Sequence, residues 1–227
     1  MNSHVIYKLK YNDDKTLALK ARIAPHGNED DEKEILTTDC QTCPPTGIRI
    51  ILSVASLFGW KIKRADAKGA FLKTGKAQRH VYVIPPIESR MRLTHRWLLL
   101  VAAYGLVNSG AKWQHQSDDL LLELGLTQSK YVPQLFYKFK NQKLELILAK
   151  IVDDIIITGE EDMTAKLISD FNSIFELGSV VEGPGEMRFF GTNIFQNPDM
   201  SVIISACLLY TSPSPRDQRG SRMPSSA

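Results

Sequence analysis

The 227-residue sequence predicts an α+β fold. Segments with the composition of β-strands alternate irregularly with segments of helical periodicity, which does not fit a regular βα repeat. The chain is 43% hydrophobic and 23% charged, a composition that is typical of globular domains and excludes a disordered chain. The longest uncharged apolar run, from Trp97 to Val107, is too short to span a bilayer, so no membrane partner is expected.

The first sixty residues predict a hairpin, a loop and a helix. Two β-rich runs, Val5 to Lys10 and Leu17 to Ala24, flank a polar turn. Residues 27–36 are dense in charge and are expected to form an exposed loop. Thr46 is expected to cap a helix that ends at Gly59.

The remaining elements follow from apolar periodicity and turn residues. Helices are expected at Ala111 to Leu124 and at Met163 to Glu176, where apolar residues recur along one face. The predicted strands are Trp60 to Ala65, Val81 to Ile84, Leu144 to Val152 and Ile155 to Thr158, with a closing hairpin of Phe189 to Phe195 and Ser201 to Ser205.

The C-terminal segment 207–227 is expected to have a different origin from the rest of the chain. It is rich in Ser, Pro and Arg, lacks apolar periodicity, and resembles the in-frame translation of a sequencing-library adapter. We expect it to be disordered and to pack against nothing. Without its three arginines and one aspartate, the net charge falls from +3 to +1, which is low for a protein that binds nucleic acid.

Two short motifs could bind metal. Cys40 and Cys43 have the spacing of half a zinc site, but no second pair completes it. Asp153 and Asp154 lie between two apolar strands, where they could simply favour a turn. If the strand that ends at Asp66 is a neighbour, three carboxylates converge, and such a cluster requires divalent cations. Mg²⁺ prefers such oxygen ligands, and two ions about 4 Å apart catalyse displacement at phosphorus.

Seven sequence blocks, in order, resemble the reverse transcriptase domain of copia-type retrotransposon Pol polyproteins. They are Tyr7-Lys8-Leu9-Lys10 with Leu19 to Gly27, Ile48-Arg49-Ile50 with Gly59-Trp60, Asp66-Ala67-Lys68-Gly69-Ala70-Phe71-Leu72, Val81 to Pro86, Tyr104-Gly105-Leu106 with Trp113, Ile151-Val152-Asp153-Asp154-Ile155, and Phe190 to Ile194.

The resemblance implies a right-hand polymerase fold that is truncated before a complete thumb. Residues 1–59 would form a fingers-like region, and residues 60–206 a palm-centred core. The implied catalytic and metal-binding residues are Asp66, Asp153 and Asp154, which would hold two Mg²⁺ ions, with Mn²⁺ as an alternative. The implied nucleotide-binding residues are Lys20, Arg22, Phe71 and Asn108.

The implied activity is RNA-directed DNA polymerisation, by nucleotidyl transfer from a dNTP to a primer 3′-hydroxyl. The implied partners are an RNA or DNA template with its primer, and the integrase and ribonuclease H of the same polyprotein, in an intracellular, cytoplasmic particle. Phe71 would block a ribose 2′-hydroxyl. Asn108 stands where the family usually has Gln, which could weaken a nucleotide contact.

Three alternatives come from other functional classes. The chain could be a catalytically inactive retroelement remnant, or a palm fold reused as an interaction module. It could also be another two-metal palm enzyme such as a nucleotide cyclase, although the blocks at Val81 to Pro86 and Tyr104 to Trp113 are not expected there.

Overall fold

The computed structural model describes residues 1–11 and 16–205 and has the predicted α+β class. Its α-helices are α1 (Pro45–Phe58), α2 (Ser109–Glu123) and α3 (Glu161–Ile174). Its strands are β1 (Ser3–Tyr11), β2 (Leu17–Pro25), β3 (Ile62–Asp66), β4 (Lys76–Val83), β5 (Trp97–Val101), β6 (Thr127–Gln128), β7 (Leu135–Lys140), β8 (Lys143–Ile151), β9 (Asp154–Gly159), β10 (Val181–Glu182), β11 (Gly185–Phe189), β12 (Thr192–Gln196) and β13 (Val202–Ser205). The adapter-like segment 207–227, which was predicted to be disordered, lies outside the described residues.

A six-stranded antiparallel sheet forms the centre of the fold, with strand order β10-β3-β9-β8-β7-β6. Helices α2 and α3 cover one face, where Trp113 and Phe171 pack against Leu148 and Ile157. Helix α1 and strands β11 and β12 cover the other face, around Ile156. The apolar runs of β8 and β9 are therefore buried on both sides, which explains why they lack polar alternation.

Two separate hairpins, β1-β2 and β4-β5, lie outside this sheet. Hydrogen bonds join the two hairpins at their bases. The N–H of Ile84 donates to the carbonyl oxygen of Met1 (2.9 Å), and the Ser3 hydroxyl donates to the carbonyl oxygen of Ile84 (2.7 Å). The backbone of Gly27 also meets that of Gly105 so closely that a Cβ on Gly27 would lie 2.2 Å from the Gly105 carbonyl oxygen. Only glycine fits this crossing.

Helix α1 ends as predicted but begins differently. Gly59 adopts the left-handed conformation (φ 66°) and closes the helix by donating to the carbonyl of Ser56. The prediction that Thr46 caps the helix is wrong, because the helix begins at Pro45 and Thr46 lies inside it. Proline is well suited to the first turn, since its φ is already helical and its missing N–H costs no hydrogen bond there.

Two further predictions need correction. The segment 27–36 is not a wholly exposed loop, because Asp30 is buried and forms an ion pair with Arg79. Phe189 to Phe195 is not one strand, because Phe190 (φ 46°) and Gly191 (φ 73°) form a tight turn that separates β11 from β12. Strands β5, β6, β7 and β10 were missed, since their short sequences carry little periodicity.

Across residues 1–11 and 16–205, no helix combines the length and apolar character needed to cross a membrane.

Candidate active site

The central sheet brings Asp66, Asp153 and Asp154 to one end of adjacent strands. Asp66 ends β3 and lies directly opposite Asp154, the first residue of β9, in the antiparallel register. The N–H of Ala67 donates to the carbonyl oxygen of Asp153 (2.8 Å), which extends this pairing by one step into the turn. Residues that are 87 positions apart in sequence are thus neighbours because β3 inserts beside β9.

The three carboxylates differ in their surroundings. Arg64, two residues before Asp66 on β3, donates from Nε to Oδ1 of Asp154 (2.8 Å). Burial raises the pKa of Asp154, the Arg64 contact opposes that rise, and the negative charges of Asp153 and Asp66 reinforce it. Burial is thus the largest influence on the pKa of Asp154, and the charges of Asp153 and Asp66 act in the same direction.

The turn that carries Asp153 is held by a buried tryptophan. Val152 has a positive φ of 55°, an unfavourable conformation for a β-branched residue. Its carbonyl oxygen accepts a hydrogen bond from Nε1 of Trp113 (2.7 Å), and the Trp113 ring is fully buried against Phe175. Trp113 therefore lies in the core and also supports the backbone of the turn.

The donor chemistry of the cluster suits a hard cation. Because Arg64 engages Asp154, Asp66 and Asp153 are the two carboxylates outside that ion pair. Mg²⁺ commonly uses one or two protein carboxylates and takes its other ligands from water and substrate phosphates. Among the described residues, no group of three or more His, Cys, Asp or Glu side chains is close enough together to hold a metal ion.

A cationic hairpin faces this cluster. Lys20 and Arg22 on β2 pair with Lys8 and Ile6 on β1, so the four side chains share one face of the hairpin. Together with Asp66 they line a cleft of about 340 Å³. One wall of the cleft is therefore positively charged, and the other contains a carboxylate of the acidic cluster.

An aromatic pair contacts the cationic wall of this cleft through Arg22. Phe71, in a short 3₁₀ turn after β3, makes an edge-to-face contact with Tyr104 (ring centroids 4.7 Å apart). The Arg22 guanidinium carbon lies 4.5 Å from the centre of the Tyr104 ring. Burial raises the pKa of Tyr104, the charge of Arg22 opposes that rise, and the charges of Asp153 and Asp66 add to it. Sequence reasoning assigned Tyr104 no role, although it recognised its Tyr-Gly-Leu motif.

The structure places Asn108 differently from the other predicted nucleotide-binding residues. Asn108 is only 7% exposed and occupies the position before the first turn of α2. Its carbonyl oxygen accepts from the N–H of Lys112 (3.0 Å), whereas its side chain does not cap the helix. Any contact between this side chain and a nucleotide would require Asn108 to be uncovered.

Comparison with known proteins decides the family. Residues 1–208 match the family described as "Reverse transcriptase (RNA-dependent DNA polymerase)". The chain belongs to this reverse transcriptase family. The match ends close to residue 207, where the adapter-like segment was predicted to begin.

Curated relatives identify the type of retroelement. The reverse transcriptase domain is 31% identical over 160 residues to the "Retrovirus-related Pol polyprotein from transposon RE1" of Arabidopsis thaliana, covering 69% of this chain. It is 26% identical over 190 residues to the corresponding polyprotein from transposon TNT 1-94 of Nicotiana tabacum, covering 80% of this chain. The matched regions span only 11% and 14% of those two polyproteins.

Solved structures resemble the domain more distantly. Telomerase from Candida albicans, in complex with a fragment of telomeric RNA, gives a TM-score of 0.47 at 9% identity, over 79% of this chain and 36% of that chain. Apo telomerase from Candida tropicalis gives 0.43 at 10% identity, over 70% of this chain and 39% of that chain.

Proposed function

We propose that this domain is the RNA-directed DNA polymerase of a copia-type Pol polyprotein and transfers nucleotides from dNTPs to a primer 3′-hydroxyl. The observation that carries the proposal is the pairing of Asp66 with the Asp153-Asp154 turn across β3 and β9, opposite the cationic face of β1-β2. A carboxylate cluster facing a positive wall fits a metal-bound triphosphate, because both ends of the ligand meet opposite charge.

Each residue of the site has a distinct proposed role. Asp66 and Asp153 would hold Mg²⁺ or Mn²⁺, and Asp154, paired with Arg64, would complete the acidic cluster. When bound, the two ions activate the attacking hydroxyl and neutralise charge on the leaving pyrophosphate. Lys20 and Arg22 would attract the triphosphate from the opposite wall.

Phe71 is proposed to select the sugar. Its ring contacts Tyr104, which in turn contacts Arg22 of the cleft, and a large rigid side chain near the bound sugar can exclude a ribose 2′-hydroxyl. The proposed partners are a primed RNA or DNA template and the integrase and ribonuclease H segments of the polyprotein. The resemblance to copia-type elements supports these partners and an intracellular particle as their location.

Primer extension on an RNA template tests the proposal. The assay compares the present chain with an extended chain in which the natural reading frame continues in place of residues 207–227. We expect weak extension by the present chain, because it matches only 11% and 14% of the length of two related polyproteins and further segments would help to grip the duplex. The extended chain should be active with Mg²⁺.

The decisive variant is Asp153→Asn in the extended chain. It removes a charge while nearly keeping shape, and should reduce extension by roughly 10³-fold. The matched control is Asp162→Asn, the same substitution at an exposed position of α3, which should leave extension unchanged. Equal activity of Asp153→Asn and its parent would refute the two-metal site. An inactive but folded parent would favour the inactive remnant.

A further inference from the structure

We propose that Tyr104 is a positioning residue that sets the sugar specificity of this site by fixing Phe71 and Arg22 in place. The inference rests on the proposed polymerase function and adds to it a residue whose motif was recognised but was given no role. Tyr104 contacts both a residue proposed to select the sugar and a residue proposed to bind the triphosphate. It thereby connects the 3₁₀ turn that follows β3 with the β1-β2 hairpin.

The contact with Phe71 fixes the direction of the proposed sugar gate. Phe71 lies on a single 3₁₀ turn, Ala70–Lys73, whose end is closed by the Thr74 hydroxyl donating to the Phe71 carbonyl oxygen (2.8 Å). That bond fixes the backbone but not the ring. The edge-to-face packing on Tyr104 supplies the missing restraint on the ring, since aromatic pairs favour this geometry over free rotation.

The contact with Arg22 holds the opposite wall. Arg22 lies on the two-stranded hairpin, and its guanidinium carbon is 4.5 Å from the Tyr104 ring centre. A cation over an aromatic face is attracted to it without losing its hydrogen-bond donors. Arg22 is therefore held beside Asp66 with its N–H groups available for phosphate oxygens.

Both contacts are made by the ring of Tyr104 and neither requires its hydroxyl. This separates a positioning role from a chemical one: phenylalanine at position 104 should preserve the function, whereas leucine should not. Removing the ring should have two effects at once. The gate should become less selective against ribonucleotides, and the grip on the triphosphate should weaken.

The test measures single-nucleotide incorporation by the extended chain with dCTP and with CTP. For Tyr104→Leu we expect the preference for dCTP over CTP to fall by roughly tenfold and the KM for dCTP to rise by roughly two- to fivefold. Tyr104→Phe should retain both values. The matched control is Tyr131→Leu, the same change at a tyrosine that is 94% exposed. This variant should behave like the parent.

The outcomes separate the inference from the function on which it rests. If Tyr104→Leu lowers incorporation of dCTP and CTP equally, Tyr104 is merely structural and the proposal is overturned while the polymerase function stands. The same holds if Tyr104→Phe loses selectivity, because the hydroxyl would then matter. If the parent incorporates neither nucleotide, the proposed function fails and the inference falls with it.

Discussion

The central sheet and the β1-β2 hairpin supply the two walls of one cleft, yet they are stabilised in different ways. In the sheet, β8 and β9 are covered on both faces and their apolar side chains are buried. The hairpin has two nine-residue strands without a third, and its large apolar side chains are exposed. They are Ile6, Tyr7, Leu9, Leu17, Leu19 and Ile23.

This difference in burial predicts that the wall formed by the sheet is rigid, whereas the wall formed by the hairpin is held only by its contacts. The carboxylates lie on a sheet whose geometry is fixed by its own packing, as a metal site with narrow distance requirements needs. The cationic side chains lie on a two-stranded element that is marginally stable by itself and depends on contacts at its base. Those contacts include the Ile84–Met1 and Ser3–Ile84 hydrogen bonds, the Gly27–Gly105 crossing, the Asp30–Arg79 ion pair and the Tyr104–Arg22 stack.

The largest effect should come from opening a cavity in the sheet. Ile156→Ala removes a fully buried side chain between α1 and the sheet, and should lower the free energy of unfolding by about 4 kcal/mol. Leu19→Ala, on the hairpin, removes a side chain that is 64% exposed and should change it by less than about 0.5 kcal/mol. Urea denaturation of both variants measures the difference.

If Ile156→Ala and Leu19→Ala lowered the free energy of unfolding by similar amounts, the sheet and the hairpin would not be stabilised in different ways. Such a result would mean that the apolar face of the hairpin is covered in solution and that the hairpin shares the core of the sheet.

Removing a buried charge between the sheet and α2 should give the next largest loss of stability. Lys150 on β8 is almost completely buried, and its Nζ donates to Ser117 and to Asp118 of α2. Burial lowers the pKa of Lys150, and the charge of Asp118 opposes this. Lys150→Met leaves the Asp118 carboxylate without its ammonium partner, and should destabilise the domain by about 3 kcal/mol in urea denaturation.

The second half of this test replaces the partner as well. Because Lys150→Met with Asp118→Leu removes both charges, the double variant should regain more than half of the lost stability. If the double variant is less stable than Lys150→Met, the network around Gln134, whose Nε2 also donates to Asp118 (2.9 Å), must contribute more than the ion pair.

The two walls also differ in how well sequence predicts them. The apolar runs of β8 and β9, the Asp153-Asp154 turn between them and the strand ending at Asp66 were recognisable because burial on both faces leaves continuous apolar segments. That β3 neighbours β9 could be stated only as a condition, since pairing between distant strands leaves no local signal. The structure supplies it.

The residues that sequence reasoning missed act through long-range contacts. Tyr104 meets Arg22 and Phe71 across 82 and 33 positions of sequence, and Asp30 meets Arg79 across 49. The local sequence around each residue gives no indication of its distant partner. The burial of Asn108 was missed for the same reason, because the start of an amphipathic helix can face either the core or the cleft.

Breaking the glycine crossing should loosen the hairpin while the sheet stays intact. A Cβ on Gly105 (φ 101°) would lie 2.3 Å from the carbonyl oxygen of Pro25, at the end of β2. Gly105→Ala should therefore cost about 2 kcal/mol through strain and displacement. Hydrogen exchange should accelerate in β1 and β2 but not in β8 and β9.

Gly59→Ala is the matched control for Gly105→Ala. Gly59 also has a positive φ (66°), but open space surrounds its missing Cβ. It should cost about 1 kcal/mol of global stability without selective exchange in the hairpin. Faster exchange in β8 and β9 of Gly105→Ala would show that the two walls do not behave independently.

The smallest effect concerns the ion pair at the hairpin base and depends on pH. Hydrogen bonds from Arg79, including Nη1 to Oδ1 (2.8 Å), lower the pKa of Asp30, and burial opposes this. A carboxyl whose pKa is lowered by folding stabilises the folded state above its unfolded pKa of about 3.9, and that contribution disappears as the pH falls through the lower folded value.

Asp30→Asn should therefore lower the free energy of unfolding by about 1.5 kcal/mol at pH 7. The gap in this free energy between variant and parent should narrow only below about pH 4. Urea denaturation from pH 7 to pH 3 measures this gap, with Asp119→Asn at an exposed position of α2 as the control that should show none. A gap that persists unchanged at pH 3 would mean that Asp30 acts through its shape and not through its charge.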